Sequence, residues 1–278
     1  ADALSNYYTP ESVAALVKAT QDKTRLVRIR AASALAQLPR EQLAPEQLEV
    51  VAAATVELET SLRARPDDTF SHYNLGNFHM AQGDYEAALA SYEISAKLQP
   101  QNFLPLVNAS LIYNMMGQND KAEESLRKAI AAQPSSDAAH LNLALLLAEE
   151  DRLPEAEEAF RGALKANPRS TVAAYNLGVL LLGRQDYEGI RWCRKAAELD
   201  ATDPKYAYTL AYAQQQFGEL DGATKTLEGM VEAKTPYAPA YSLLAHLHEQ
   251  AGNPAAAIRV FEQGLENPAL GEQDLNAM

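Results

Sequence analysis

The stretch 75-LGNFHMAQGDYEAALASYEISAKLQP-100 aligns with 143-LALLLAEEDRLPEAEEAFRGALKANP-168 and, with a deletion, with 177-LGVLLLGRQDYEGIRWCRKAAELD-200. The offsets are multiples of 34 residues, and a fixed period of that length marks stacked helical hairpins. Working outward, successive units begin at Thr69, Phe103, Asp137, Thr171, Pro204 and Ala238, with one residue deleted inside the fourth, so six units occupy 69–271. Pro100, Pro134 and Pro168 recur where a second helix ends, and Gly83, Gly117, Gly218 and Gly252 fall at the turn inside a unit. The predicted class is all-α. The 278 residues, 47% hydrophobic, are therefore spread along hairpin interfaces rather than gathered into one core.

The pattern resembles the tetratricopeptide repeat, whose signature has a large residue at position 4, Leu at 7, a small residue at 8, a large one at 11, Gly at 15, Ala at 20, an aromatic at 24, Ala at 27 and Pro at 32. Here the small slot holds Gly76, Ser110, Ala144, Gly178, Ala211 and Ala245, and the alanine slot holds Ala88, Ala122, Ala156, Ala223 and Ala257. Tyr92, Phe160 and Phe261 fill the aromatic slot. Small residues let paired helices approach, while bulky ones stack one hairpin on the next because no single hairpin buries its own apolar face. The resemblance implies a right-handed α/α superhelix, or solenoid. Asp151 stands where the third unit's turn glycine belongs, Cys193 arrives one residue early in the fourth, and Gln214 replaces the large residue of the fifth.

The first 68 residues are out of phase with this repeat. The segment 44–68 reads as a capping helix whose Ala54 and Leu58 sit where a second helix of the same repeat would place them. Within 1–43, the runs 10–21 and 24–39 read as a helix pair, the second with an apolar face of Leu26, Val27, Ala31, Ala34, Leu35 and Leu38. That second helix resembles a HEAT-type unit. With the array that follows, it also resembles the C-terminal part of bacterial multihaem cytochrome-associated tetratricopeptide proteins, which implies a redox centre in another region. The residues 272–278 read as a polar tail. A start at Ala1, with neither Met nor a signal segment, reads as a mature form or an excised fragment.

In the tetratricopeptide family the first helix of each unit lines a concave groove. Position 6 of that helix carries Asn74, Asn108, Asn142 and Asn176 in consecutive units, before the column breaks at Thr209 and Leu243. Carboxamides donate and accept hydrogen bonds, so such a column suits an extended peptide backbone. It resembles the asparagine ladder of O-linked N-acetylglucosamine transferases; the competing reading is a merely solvated face. Tyr73, Tyr175 and Tyr208 at position 5, with Asn77 at position 9, serve either as groove walls or as partly buried support. Asn77 with Asn108 also resembles part of the dicarboxylate clamp of chaperone adaptors. The slots for its cations hold Tyr73, Ala138 and Asn142, so an acidic chaperone tail is not expected.

A net charge of -13 argues against nucleic acid and favours neutral or basic partners. Apolar runs such as 143–148 are too short to span a membrane, so the chain is expected to be soluble, cytoplasmic or periplasmic. The single cysteine, Cys193, excludes a disulfide framework, and burial in the aromatic slot gives it a packing role. His72, His140, His79 and His248 occupy large-residue slots, and His246 lies two residues from His248 on a helix, so no metal site is expected. Acid pairs such as Glu123 and Glu124 lack a pocket to perturb them. The sequon at Asn108 falls inside a helix, where glycosylation is not expected. The sequence thus reads as a noncatalytic protein- or peptide-binding scaffold with no cofactor. The alternatives are a structural or homo-oligomerisation module packing against another copy or a neighbouring domain, or an accessory domain of a larger redox enzyme.

Overall fold

The structure, a computed structural model, describes residues 9–36, 38 and 42–271. Its described elements are all α-helices. Two compact units divide the chain, 1–142 and 143–278. The polar tail expected at 272–278 lies outside the described residues.

The N-terminal unit opens with α1 (Pro10–Ala19), α2 (Arg25–Leu35) and α3 (Pro45–Arg63). Thr9 caps α1 by accepting from the Ser12 amide, with Pro10 in the first turn where its missing N–H costs nothing. Gln47 reaches back from the first turn of α3 to accept from the Ala44 amide at 2.9 Å. Val13, Leu35, Leu38, Leu43 and Val51 form the core of this leader. Arg28 grips Glu57 as a fork, Nη2 to Oε1 at 2.7 Å and Nε to Oε2 at 2.9 Å, fixing α2 on α3. The expected apolar face of α2 needs correction. Ala31, Leu35 and Leu38 are buried as expected and Ala32 joins them, but Leu26 and Val27 are exposed, because the helical period that turns Ala31, Ala32 and Leu35 inward puts Leu26 on the opposite side and Val27 at the edge of the face.

Four repeat helices follow: α4 (Thr69–Ala81), α5 (Tyr85–Leu98), α6 (Leu104–Met115) and α7 (Asn119–Ala132). Asp68 and Asp84 cap α4 and α5, Asp68 taking both the Ser71 amide and hydroxyl. Ala54 and Leu58 of α3 pack with Leu75 and Phe78 of α4, so the leader covers the first hairpin. The division between the two units falls inside α8 (Asp137–Glu149).

The C-terminal unit continues with α9 (Leu153–Ala166), α10 (Thr171–Gly183), α11 (Glu188–Leu199), α12 (Pro204–Gln216), α13 (Leu220–Glu232), α14 (Ala238–Gln250) and α15 (Pro254–Leu265). Adjacent helices pair α10 with α11, α12 with α13 and α14 with α15. Gln214, in a slot made for a large apolar residue, is buried because Thr226 donates to its Oε1 at 3.1 Å and its Nε2 donates to Glu219 at 3.3 Å. At the far end, buried Asn267 donates to the Lys234 carbonyl at 3.0 Å and the Tyr241 hydroxyl at 2.9 Å, and Leu270 joins the core of the last hairpins.

The turn inside each repeat demands a left-handed residue. Gly83, Gly117, Gly218 and Gly252 supply it with φ between 70° and 80°. Asp151 (φ 59°) and Gln185 (φ 56°) adopt the same conformation with a Cβ, which is strained. The turn is thus kept even where the glycine is lost, because the packed helices on both sides dictate it.

Candidate functional site

Positions 2, 6, 9 and 13 of a first helix are separated by four, three and four residues, which puts them on one face. In the N-terminal unit that face is Phe70, Asn74 and Asn77 on α4 and Leu104, Asn108, Leu111 and Met115 on α6. In the C-terminal unit it is Val172, Asn176 and Val179 on α10, and Lys205, Thr209 and Tyr212 on α12. The apolar members are solvent-exposed, from 39% for Leu111 to 63% for Phe70. Asn108 and Asn176 therefore sit between exposed apolar side chains, and Asn74 lies beside exposed Phe70. These flanking residues were missed in the sequence; the signal was their repeat register, since a large apolar residue at position 2 or 9 has no packing slot to fill.

The four predicted asparagines are not equivalent. Asn74 is exposed and Asn142 half-buried. Asn176 donates to the carbonyl of Val172 in its own helix at 2.8 Å. Asn108 is drawn into an internal cluster. Its Nδ2 donates to Asn77 Oδ1 at 2.9 Å and lies 3.3 Å from the hydroxyls of Tyr73 and Tyr92, while the Tyr92 hydroxyl donates to the same Asn77 Oδ1 at 2.6 Å. The structure thus brings Tyr73, Asn77 and Asn108 together around Tyr92. Burial pushes the Tyr92 phenol up to about 12, against the opposing pull of the Asn108 hydrogen bond.

Tyr175 and Tyr208 are half-buried and engaged with other rings. Tyr175 meets Tyr206 edge-on at 5.1 Å, with the Lys205 ammonium 4.7 Å above Tyr206 and 5.7 Å above Tyr175. Tyr208 lies 5.2 Å from Tyr237 and stacks at 6.5 Å on Tyr212, the most exposed of the three. Burial raises the Tyr208 phenol, helped by Tyr237 and Tyr212. Tyr175 and Tyr208 are thus held by other rings, and Tyr212 is the exposed aromatic of the α12 face.

The residues considered for chemistry have structural surroundings. His72 and His140 each place Nε2 on a carbonyl six residues back, Pro66 at 2.9 Å and Pro134 at 3.1 Å, which pins the loop entering the unit. His79 is buried against Phe78. Cys193 is buried, and loss of solvation raises its thiol to about 12, far from the thiolate a nucleophile requires. Among the described residues no group of three or more His, Cys, Asp or Glu side chains is placed to hold a metal ion, and no helix is long and apolar enough to cross a membrane.

Tetratricopeptide repeat family models match residues 69–102, 116–171, 152–204 and 240–274, together more than half of the chain. The chain is a tetratricopeptide repeat protein. Repeats of this family form protein-interaction scaffolds, and this protein carries that scaffold. Among solved structures it resembles YrrB, described as a tetratricopeptide protein with an unusual peptide-binding site, at 17% identity and TM-score 0.56 over 68% of this chain and 98% of that one. It also resembles pilF of Pseudomonas aeruginosa, at 17% identity and TM-score 0.55 over 79% and 97%. A tetratricopeptide repeat protein from Parabacteroides merdae aligns at 21% identity and TM-score 0.50 over 82% and 92%. At these identities the likeness is one of fold. No curated protein matches by sequence. The family matches leave out the fifth repeat, the one that carries Gln214, although α12 and α13 pair there and Gly218 makes the same left-handed turn.

Proposed function

We propose that this tetratricopeptide protein is a noncatalytic scaffold whose first-helix faces bind extended peptide segments bearing apolar side chains. The observation that carries the reading is the alternation on those faces: Leu104, Asn108 and Leu111 on α6, and Val172, Asn176 and Val179 on α10, with the aliphatic members exposed. Apolar side chains left in water on neighbouring turns favour a partner that covers them. The carboxamides not drawn into the Tyr92 cluster, Asn74 exposed on α4 and Asn176 on α10, satisfy backbone N–H and C=O groups regardless of the peptide's sequence. Of the face positions named on α4, α6, α10 and α12, only Lys205 is charged, so affinity comes from apolar burial rather than from ion pairing.

A displayed random-peptide library selected on the intact chain tests this. Enriched peptides are expected to carry aliphatic or aromatic residues, and to lose roughly tenfold or more in affinity on a Leu111→Asp/Val179→Asp variant. Both positions are exposed, so the variant is expected to fold normally. Absence of any enriched peptide, or equal binding to the variant, would sink the reading.

A further inference from the structure

In a chain of net charge -13, one second helix of the C-terminal unit, α11, gathers three cations, Arg191, Arg194 and Lys195, within five residues. A cavity of about 360 Å³ opens between the end of α9 and the outer face of α11. Its walls are Leu164, Pro168 and Trp192; Arg191, Arg194 and Lys195 line it, and Glu198 is its one carboxylate. Residues 191, 194, 195 and 198 follow helical spacing, so these charges share one face of α11, opposite the buried Ile190, Cys193 and Ala196.

The cations are available. Arg191 rests over the Trp192 ring at 5.4 Å, and neither it nor Lys195 has an ion-pair partner within 4.0 Å among the described residues. Arg194 has only a long contact, 3.9 Å, with Glu219. The neighbouring acid is already committed: Glu188 takes both Arg161 (2.7 and 3.1 Å) and the Trp192 indole N–H (2.8 Å), which also locks the ring as the cavity wall. The cleft thus joins a fixed aromatic surface and apolar walls to three cations, of which Arg191 feels the charge of Glu188, Arg194 reaches Glu219 at 3.9 Å, and Glu198 is the single carboxylate of the lining.

We propose that this cleft is a second binding site, separate from the first-helix faces, for an acidic peptide segment of a partner protein that seats one apolar side chain between Leu164, Pro168 and Trp192. Arg191, Arg194 and Lys195 take carboxylates on either side of it. The volume suits one large side chain, and arginine forks pair carboxylates bidentately. A nucleic acid would need a basic field longer than this cleft, against the chain's overall negative charge.

Trp192 is the chain's only tryptophan, so its fluorescence reports the site directly. The chain is titrated with a peptide of six glutamates around a central leucine, in parallel with the lysine counterpart, the glycine counterpart and free glutamate. The expected result is a saturable emission change with the acidic peptide alone. It should weaken as salt rises from about 50 to 500 mM and lose roughly tenfold or more in affinity in Arg191→Glu/Lys195→Glu. Both residues lie outside the buried core, and unchanged circular dichroism will establish that this variant is folded. No saturable change up to about 1 mM peptide, an undiminished response in the folded double variant, or an equal response to the glycine peptide or to free glutamate would overturn the proposal. The Leu111→Asp/Val179→Asp variant is expected to bind the acidic peptide normally. Failure of the first-helix proposal therefore leaves this one standing, and the reverse holds too.

Discussion

Gly76 in the N-terminal unit faces the ring of Tyr92; Gly178 in the C-terminal unit, at the same repeat position, faces Cys193. A Cβ at Gly76 would fall 2.4 Å from the Tyr92 ring, and one at Gly178 would fall 2.7 Å from the Cys193 sulfur and 2.9 Å from its backbone nitrogen. The first hairpin is therefore spaced by a large aromatic whose hydroxyl organises Asn77 and Asn108, while the other is closed backbone to backbone, with Gly189 tight against Leu182 and the Gly178 carbonyl. One repeat geometry is reached by two kinds of packing. The difference also reaches the surface: the polar cluster around Tyr92 consumes Asn108, whereas Asn176 has only a bond within its own helix. The outer clefts differ as well. In the N-terminal unit a cavity of about 730 Å³ between α5, α6 and α7 has two of its three lysines ion-paired, Lys97 with Glu93 and Lys128 with Glu124, and the third, Lys121, on Gln118 and over the Tyr113 ring, while the cleft on α11 leaves Arg191 and Lys195 without an ion pair among the described residues.

The widest break in that comparison comes from the shared aromatic slot. Tyr92→Ala is expected to destabilise the N-terminal unit by about 3–5 kcal/mol, through lost burial and a cavity. Cys193→Ala, which removes one sulfur from an already closed pair, should cost about 1 kcal/mol. Denaturant unfolding followed by hydrogen exchange in each unit would measure both, and equal costs would show that the two hairpins are packed alike after all. A smaller effect separates the asparagines: Asn108→Ala should cost about 1–2 kcal/mol because it strips a donor from Asn77, Tyr73 and Tyr92. Asn176→Ala should stay within about 0.5 kcal/mol. If Asn176→Ala proved as damaging as Asn108→Ala, the distinction between a structural and a free asparagine would be lost. The smallest change is a gain. Asp151→Gly and Gln185→Gly relieve left-handed strain in turns of the C-terminal unit and should each raise stability by up to about 1 kcal/mol, read as a shift in unfolding midpoint. Gly83→Ala should lower the stability of the N-terminal unit by a similar amount.

Most of the architecture was legible in the sequence because a repeat states its packing six times over. A residue at position 8 or 20 is small wherever two helices cross closely, and the period survives individual departures such as Gln214. Tyr73, Asn77 and Asn108 could be placed on the right helices for the same reason. Their contacts with each other were not readable, since they depend on where the Tyr92 hydroxyl ends after crossing from α5 to α4. The apolar flanks of the asparagine column were overlooked for a different reason: a hydrophobic residue on a helix is read first as core, and only the structure shows that Leu111 and Val179 are left partly in water. Leu26 and Val27 show the same ambiguity in the leader, where the packing of Ala32 and Leu35 against neighbouring helices decided which side of α2 turned inward.

By itself the sequence determined the period, the helix pairing, the phased turns and the family, because these rest on residue size and backbone preference repeated at fixed intervals. The tertiary structure alone decided which asparagines are spent on internal hydrogen bonds, which apolar side chains remain in water and which cations stay unpaired. Those outcomes depend on distances of a few ångströms between residues far apart in the chain, such as the 2.9 Å between Asn108 and Asn77, and a repeat register does not carry that information.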